Sequence, residues 1–149
     1  SPKLEKGPDL FCDYVEKIAD ENTLVLLGGW RRQYIMNRLN KAGIEYKYIE
    51  MAPIQQLREM YACCDLYIVS SRVEGGPQAL LEAPAMKVPI VSTRMGSAEF
   101  LLNENCIIDI PNETYLPTEQ DVEENFNIVQ NYDIIKHVDE YEKLLRSLI

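Results

Sequence analysis

Hydrophobic residues along this chain follow two alternating patterns. Short, uninterrupted apolar runs predict buried strands, and apolar residues spaced three or four apart predict helices. The predicted strands are 23–27, 46–50, 65–69, 88–92 and 106–108. The predicted helices are 8–20, 30–42, 54–62, 77–86 and 97–102. After a loop at 111–117, the tail at 118–148 is predicted to form one or two amphipathic helices, with a break near Asn131.

The alternation of strands and helices predicts an α/β fold. Right-handed crossovers between strands would give a Rossmann-like open parallel sheet with helices on both faces. We expect a single domain over 1–149, with the core in 1–110 and a loop and C-terminal helices in 111–149. Ligands of such sheets bind at the carboxyl ends of the strands. The segments of interest are therefore 28–32, 50–53, 70–79 and 92–97.

Composition limits the classes of partner. The 149 residues are 46% hydrophobic, which is enough for one core, and 24 acidic against 15 basic residues give a net charge of -9. This charge disfavours broad contact with nucleic acid or an anionic membrane. It leaves room for a local anion site made of backbone N–H groups and one lysine. Without a long apolar run or a signal-peptide core, we expect a soluble, cytoplasmic domain.

The cysteines and the single histidine give no strong sign of a metal or catalytic site. The four cysteines lack CxxC spacing, and only His137 could join them as a nitrogen ligand. We expect buried, reduced thiols rather than a zinc site. His137 has no Ser or Cys nucleophile near it in sequence, so a surface or packing histidine is the simpler interpretation.

The most informative stretch is 71–83, SRVEGGPQALLEA, where a predicted strand passes into a helix. Gly75 and Gly76 allow positive φ or close approach of the backbone to a ligand, and Pro77 suits the first position of a helix. The N–H groups of Gln78 and Ala79 would then be free to hold a phosphate.

Two carboxylates flank that turn. Glu74 precedes it and Glu82 lies about one and a half turns into the predicted helix, so both could accept hydrogen bonds from sugar hydroxyls. An ordinary strand-to-helix turn with an exposed Glu82 explains the same spacing. From spacing alone, both interpretations stay open.

The order of motifs favours the first interpretation. Glu74-x7-Glu82, followed by VPIVST at 88–93 and by Gly96, resembles the donor-site signature of the family-four retaining glycosyltransferases. Lys6-Gly7, LLG at 26–28, and the Tyr-Ala-x-x-Asp pattern at 61–65 fit the same family. The resemblance covers roughly 3–108.

The resemblance implies the C-terminal, nucleotide-sugar-binding half of a GT-B fold. Such a domain faces an acceptor-binding N-terminal domain or partner chain across a cleft. The implied activity is metal-independent, retaining sugar transfer from a nucleoside-diphosphate sugar in glycan biosynthesis, without a cofactor. The alternatives are a nucleotide- or carbohydrate-binding module that lost turnover and, with less support, a nucleotide-sugar epimerase.

The same resemblance implies residue roles. Glu74 would contact hydroxyls of the donor sugar as the catalytic residue, and Glu82 would bind the ribose hydroxyls. Lys6 would neutralise the pyrophosphate. The remaining donor-binding positions are the Gln78 and Ala79 amides, for the distal phosphate, and Gly75 and Gly76, which shape the loop. The base would lie near 48–51, where the family often has a glycine and this chain has Glu50.

Some positions depart from the family pattern. An arginine usually stands five residues before the lysine, where this chain has Ser1, so pyrophosphate binding is weaker or Lys3 or Arg72 substitutes. Arg31 and Arg32 could also reach an anion, although solvated surface arginines are the simpler expectation. The family's first strand would precede this segment, so we expect one part of a longer protein.

Overall fold

The computed structural model describes residues 4–147. The strands are β1 (Leu24–Gly28), β2 (Glu45–Ile49), β3 (Tyr67–Val69) and β4 (Ile90–Ser92). The helices are α1 (Pro8–Ile18), α2 (Gln33–Ala42), α3 (Ile54–Ala62), α4 (Ala79–Ala85), α5 (Ala98–Leu101), α6 (Glu119–Gln130) and α7 (Ile134–Ser147). Two 3-10 turns lie at Leu4–Lys6 and Glu104–Cys106.

The strands run parallel, which confirms the predicted α/β class. β1 pairs with β2 and β3 pairs with β4, in both cases in parallel. A parallel bridge from Ser92 to Ile107 extends the second pair. Within residues 4–147 no backbone pairing joins β1 to β3, so the strands form two pairs rather than one continuous ladder.

Most predicted elements are present, several of them shorter than predicted, while β1 and β2 keep the predicted length and are shifted by one residue. α3 has the predicted limits, and the predicted break in the tail is confirmed because α6 ends at Gln130 and α7 begins at Ile134. The predicted strand at 106–108 is wrong. Asn103 accepts a hydrogen bond from the Cys106 amide at 3.2 Å and caps a 3-10 turn there, which leaves Ile107 with only a bridge.

Three groups of buried side chains make up the core. One surrounds Leu80 and Ile90, one surrounds Leu39 and Val25, and one surrounds Tyr14. The side chain of Ile68 in β3 packs against both the second and the third group. β3 therefore lies where the core clusters meet, and the loop that follows it starts from a well-anchored position.

The cysteines only partly match their prediction. All four thiols are free, and Cys12 and Cys106 are buried as expected, but Cys63 is exposed. Among the described residues, no group of histidine, cysteine and acidic side chains is arranged to hold a metal ion. None of the helices within 4–147 combines the length and apolar content needed to cross a bilayer.

Candidate functional site

The segment before α1 packs tightly against the end of β3. Gly7 has a φ of +56°, and a Cβ at this position would collide with the carbonyl oxygen of Ser70. The Ser70 hydroxyl donates to the Lys6 carbonyl at 3.3 Å, and the Arg72 amide donates to the Glu5 carbonyl at 2.7 Å. These contacts bring Lys6 to the loop that carries the acidic motif.

Glu74 is held by two partners. The Lys6 ammonium contacts its Oε1, and the Ser71 hydroxyl donates to its Oε2 at 2.9 Å. Burial alone would raise the pKa of Glu74, but the hydrogen bonds from Lys6 and Ser71 and the charge of Lys6 outweigh it and lower that pKa. Glu74 is therefore anionic at neutral pH, and its charge is compensated by Lys6.

The loop after β4 supports Glu74 from another side. Gly96 has a φ of +48°, and a Cβ there would collide with the carbonyl oxygen of Glu74 and lie 2.9 Å from that of Gly75. The Thr93 hydroxyl donates to the Ser71 carbonyl, which ties the two loops together. The backbone of Glu74 is thus enclosed by two chain segments far apart in sequence.

The two glycines of the motif were expected to allow either a positive φ or close approach of the backbone to a ligand. Neither Gly75 nor Gly76 has a positive φ, so the first of these two alternatives is not the one found. A Cβ on Gly75 would meet nothing within 4 Å, whereas one on Gly76 would lie 3.1 Å from the Ser97 hydroxyl oxygen. Close approach to a ligand stays a prediction for this pair.

The start of α4 leaves two amides without backbone partners. The first backbone hydrogen bonds here run from Leu80 to Pro77 and from Leu81 to Gln78. Within residues 4–147, the N–H groups of Gln78 and Ala79 donate to no backbone carbonyl. Because α4 has only seven residues, shorter than predicted, its dipole adds little and the two amides act simply as donors.

Glu82 lies against an aromatic pair. The Tyr61 hydroxyl donates to Glu82 Oε2 at 2.8 Å. The Tyr61 ring is buried and stacks on the ring of Tyr67, with centroids 5.2 Å apart. Burial, together with the neighbouring Tyr67 and Glu82, raises the pKa of Tyr61 far above its usual value. The phenol therefore remains protonated and acts as a donor to Glu82.

The cations proposed to replace the family's arginine are engaged elsewhere or not described. Arg72 forms a two-pronged ion pair with Asp9, with N–O distances of 2.8 and 2.6 Å. Its guanidinium is therefore not available for pyrophosphate in this conformation. Lys3 and Ser1 lie outside the described residues.

The other singled-out side chains have local partners. Arg32 donates from Nε to the Gly28 carbonyl at 2.7 Å, at the carboxyl end of β1. Arg31 is exposed and has a φ of +64°. His137 contacts Glu140 and the backbone oxygen of Asn131, consistent with a surface histidine of the tail.

Three contacts of the predicted site residues were not predicted from sequence. The hydrogen bond of Ser71 to Glu74, the contact of Gly96 with the Glu74 backbone, and that of Tyr61 with Glu82 all come from the fold. Ser97 adds a fourth feature, because its hydroxyl oxygen is buried without a hydrogen-bond partner among the described residues. Ser71, Tyr61 and Gly96 lie in the motifs that resemble the glycosyltransferase family, and this was the only sequence signal that could have pointed to them.

Parallel strands with this loop at their carboxyl ends are the architecture of one half of a GT-B glycosyltransferase. The model of the family "Glycosyl transferases group 1" matches residues 2–129, and the chain therefore belongs to that family. A comparison with curated proteins found no significant match.

Solved structures share the fold at low sequence identity. The Anabaena HepE protein in complex with UDP is 20% identical, with a TM-score of 0.77 over 97% of this chain and 46% of HepE. The catalytic domain of Helicobacter pylori cholesterol-alpha-glucosyltransferase is 18% identical, with a TM-score of 0.64 over 99% of this chain and 94% of that domain. Sucrose-phosphate synthase from Thermosynechococcus elongatus is 14% identical, with a TM-score of 0.71 over 97% and 44%. This chain thus spans about half the length of HepE.

Proposed function

We propose that this chain is the donor-binding domain of a glycosyltransferase that moves a sugar from a nucleoside-diphosphate sugar to an acceptor with retention. The acceptor would be held by a second domain or a partner chain. HepE, whose solved structures contain UDP and UDP-glucose, aligns with this chain over only 46% and 38% of its length in those two structures. That partial coverage supports a second unit as the source of the acceptor site.

The observation that carries the proposal is the pairing of Lys6 with Glu74 at the carboxyl end of β3. A nucleotide sugar carries an anionic diphosphate joined to a neutral, hydroxyl-rich sugar. A lysine and a carboxylate side by side offer one group for each part, because the ammonium attracts phosphate and the carboxylate accepts from hydroxyls. The contact between the Lys6 ammonium and Glu74 Oε1 supports a single site that contains both groups.

The remaining groups have complementary roles in the proposal. The Gln78 and Ala79 amides, which lack backbone partners among the described residues, would bind the distal phosphate. Glu82 would accept hydrogen bonds from the ribose. When the bond between the anomeric carbon and the diphosphate breaks, Lys6 and the two amides would stabilise the negative charge that builds on the leaving group.

A second candidate is a binding module without turnover. The Lys6–Glu74 ion pair favours it in one respect, since the two groups needed for the donor satisfy each other when no donor is bound. Such a module would bind nucleotide as an enzyme would, but it would not transfer sugar when joined to an acceptor-binding domain.

Calorimetric titration of the chain with UDP, GDP and ADP tests the shared part of both candidates. We expect saturable binding of one of them, and an absence of heat at millimolar nucleotide would sink the donor-site proposal. Separating the two candidates requires the chain together with its acceptor-binding domain or partner chain. Glycosyl transfer from UDP-glucose, GDP-mannose or ADP-glucose to water or to an added acceptor supports the enzyme, whereas binding without turnover supports the module.

A further inference from the structure

We propose that Tyr61 is a positioning residue that orients the Glu82 carboxylate for the ribose of the donor. This inference rests on the proposed function, because it takes Glu82 as the ribose-binding group. It adds a residue whose side chain makes no contact with the nucleotide but determines whether the nucleotide's two ribose hydroxyls find their acceptors in place.

The two carboxylate oxygens of Glu82 differ in their contacts: one is bound by Tyr61 and the other is open to a ligand. The Tyr61 hydroxyl donates to Oε2 at 2.8 Å, while Oε1 accepts no hydrogen bond from any residue within 4–147. A carboxylate has about four lone-pair positions, so one donor leaves room for both hydroxyls of a ribose diol. Tyr61 therefore fixes the orientation of the carboxylate and leaves acceptor positions available for the ribose.

Tyr61 is itself held by its packing in the core. Its side chain is buried in the core group that also contains Leu80 and Ala83 of α4, and its ring stacks on Tyr67 of β3. The hydroxyl thus has a position set by α3, β3 and α4 together. A glutamate side chain has three rotatable bonds, and holding it in advance lowers the entropy that ligand binding would otherwise lose.

A structural role alone predicts something different. If the Tyr61 hydroxyl only satisfies a half-buried carboxylate, its removal lowers the stability of the fold and affects all nucleotides alike. If it positions Glu82 for the ribose, its removal weakens ligands that carry both ribose hydroxyls more than ligands that lack the 2′-hydroxyl. The comparison of UDP with 2′-deoxy-UDP separates the two roles.

The experiment measures the dissociation constants of UDP and 2′-deoxy-UDP by calorimetry for the wild-type chain, Tyr61→Phe, Glu82→Gln and the double variant. We expect Tyr61→Phe to weaken UDP binding about tenfold, the effect of one lost hydrogen bond to a charged group, and 2′-deoxy-UDP binding by less, so that the ratio of the two dissociation constants changes. Because both changes act through the same contact, the double variant should lose no more than Glu82→Gln alone.

Tyr14→Phe serves as the matched control. Tyr14 is also a buried tyrosine, but its hydroxyl donates to the Tyr115 carbonyl in a different core group. It should lower the midpoint of thermal unfolding while keeping the wild-type ratio of the two dissociation constants. A Tyr61→Phe variant that keeps this ratio, while Glu82→Gln loses it, overturns the inference and leaves the donor site intact. Wild-type protein that binds none of UDP, GDP and ADP overturns the donor site itself.

Discussion

The Lys6 ammonium contacts Glu74 Oε1 although the two residues are 68 positions apart in sequence. The contact exists because Gly7 allows the segment before α1 to press against Ser70. In the unliganded chain the two charges satisfy each other. A bound diphosphate must therefore compete with Glu74 for Lys6.

Replacing Lys6 should weaken the binding of nucleoside diphosphates more than that of nucleoside monophosphates. Lys6→Ala removes the cation assigned to the pyrophosphate and leaves the Glu74 charge uncompensated beside it. We expect UDP to bind about tenfold more weakly, the effect of one charged contact, and UMP to lose less. Calorimetry at low salt measures both. Lys41→Ala, an exposed change near the end of α2, is the control, and an equal loss for UDP and UMP would contradict the assignment.

Replacing the two glutamates of the motif should affect the binding of different ligands. Glu82→Ala should weaken UDP and UDP-glucose alike by about 1–3 kcal/mol, since both carry the ribose. Glu74→Ala should weaken UDP-glucose but not UDP, because it removes a sugar contact and releases Lys6 for the diphosphate. Titration of both ligands into both variants measures the difference. Parallel losses in all four titrations would remove the division of roles.

Gly96→Ala should be far more damaging than an alanine at another left-handed glycine. Its Cβ would collide with the Glu74 carbonyl, so the loop must move in addition to the strain of a φ of +48°. We expect a loss of about 2–4 kcal/mol in the free energy of unfolding, measured in urea. Gly43→Ala is the control, because its φ is +71° but nothing lies within 4 Å, and it should cost about 1 kcal/mol.

Asp121 should make the fold sensitive to acid. Burial alone would raise the pKa of Asp121, but hydrogen bonds from Tyr115, Thr118 and Asn105 lower it well below its usual range. A carboxyl whose folded pKa is lowered stabilises the fold above its unfolded pKa. That contribution is lost as pH falls toward the folded value.

Asp121→Asn tests this directly. The variant should lose about 2–4 kcal/mol near neutral pH, because it replaces a charged acceptor that is almost fully buried. Between about pH 5 and pH 3 the wild type should lose more stability than the variant, so the two curves converge. Urea unfolding at several pH values measures this. Curves that stay parallel through the acid range would contradict the role of Asp121.

The periodicity of apolar residues predicted the elements well where packing and local preference agree. α3 has its predicted limits, and the tail breaks where predicted. The prediction failed at 106–108, because the Asn103 side chain bonds the Cys106 amide and favours a turn over a strand. Helix α4 starts two residues late, since Pro77 accepts only the turn-like hydrogen bond from Leu80.

The site was predictable only in part. The spacing of Glu74 and Glu82 pointed to a loop at the carboxyl end of a strand, and the family match agrees with that resemblance. The contacts of Lys6 with Glu74 and of Tyr61 with Glu82 join segments 68 and 21 residues apart, and spacing carries no information about such pairs. Arg72 was a candidate to bind the pyrophosphate, but in the structure its guanidinium pairs with Asp9.

Gly7 and Gly96 determine the position of the Glu74 loop because neither residue has a Cβ. Each lets a neighbouring backbone come closer than any side chain would allow, one at Ser70 and one at Glu74. The position of the loop thus depends on the absence of side chains at these two glycines, and not on the chemistry of the residues that would face the donor. Changes of preferred sugar or base could therefore arise at the side chains around Glu74 and in 50–53 without disturbing the scaffold that holds them.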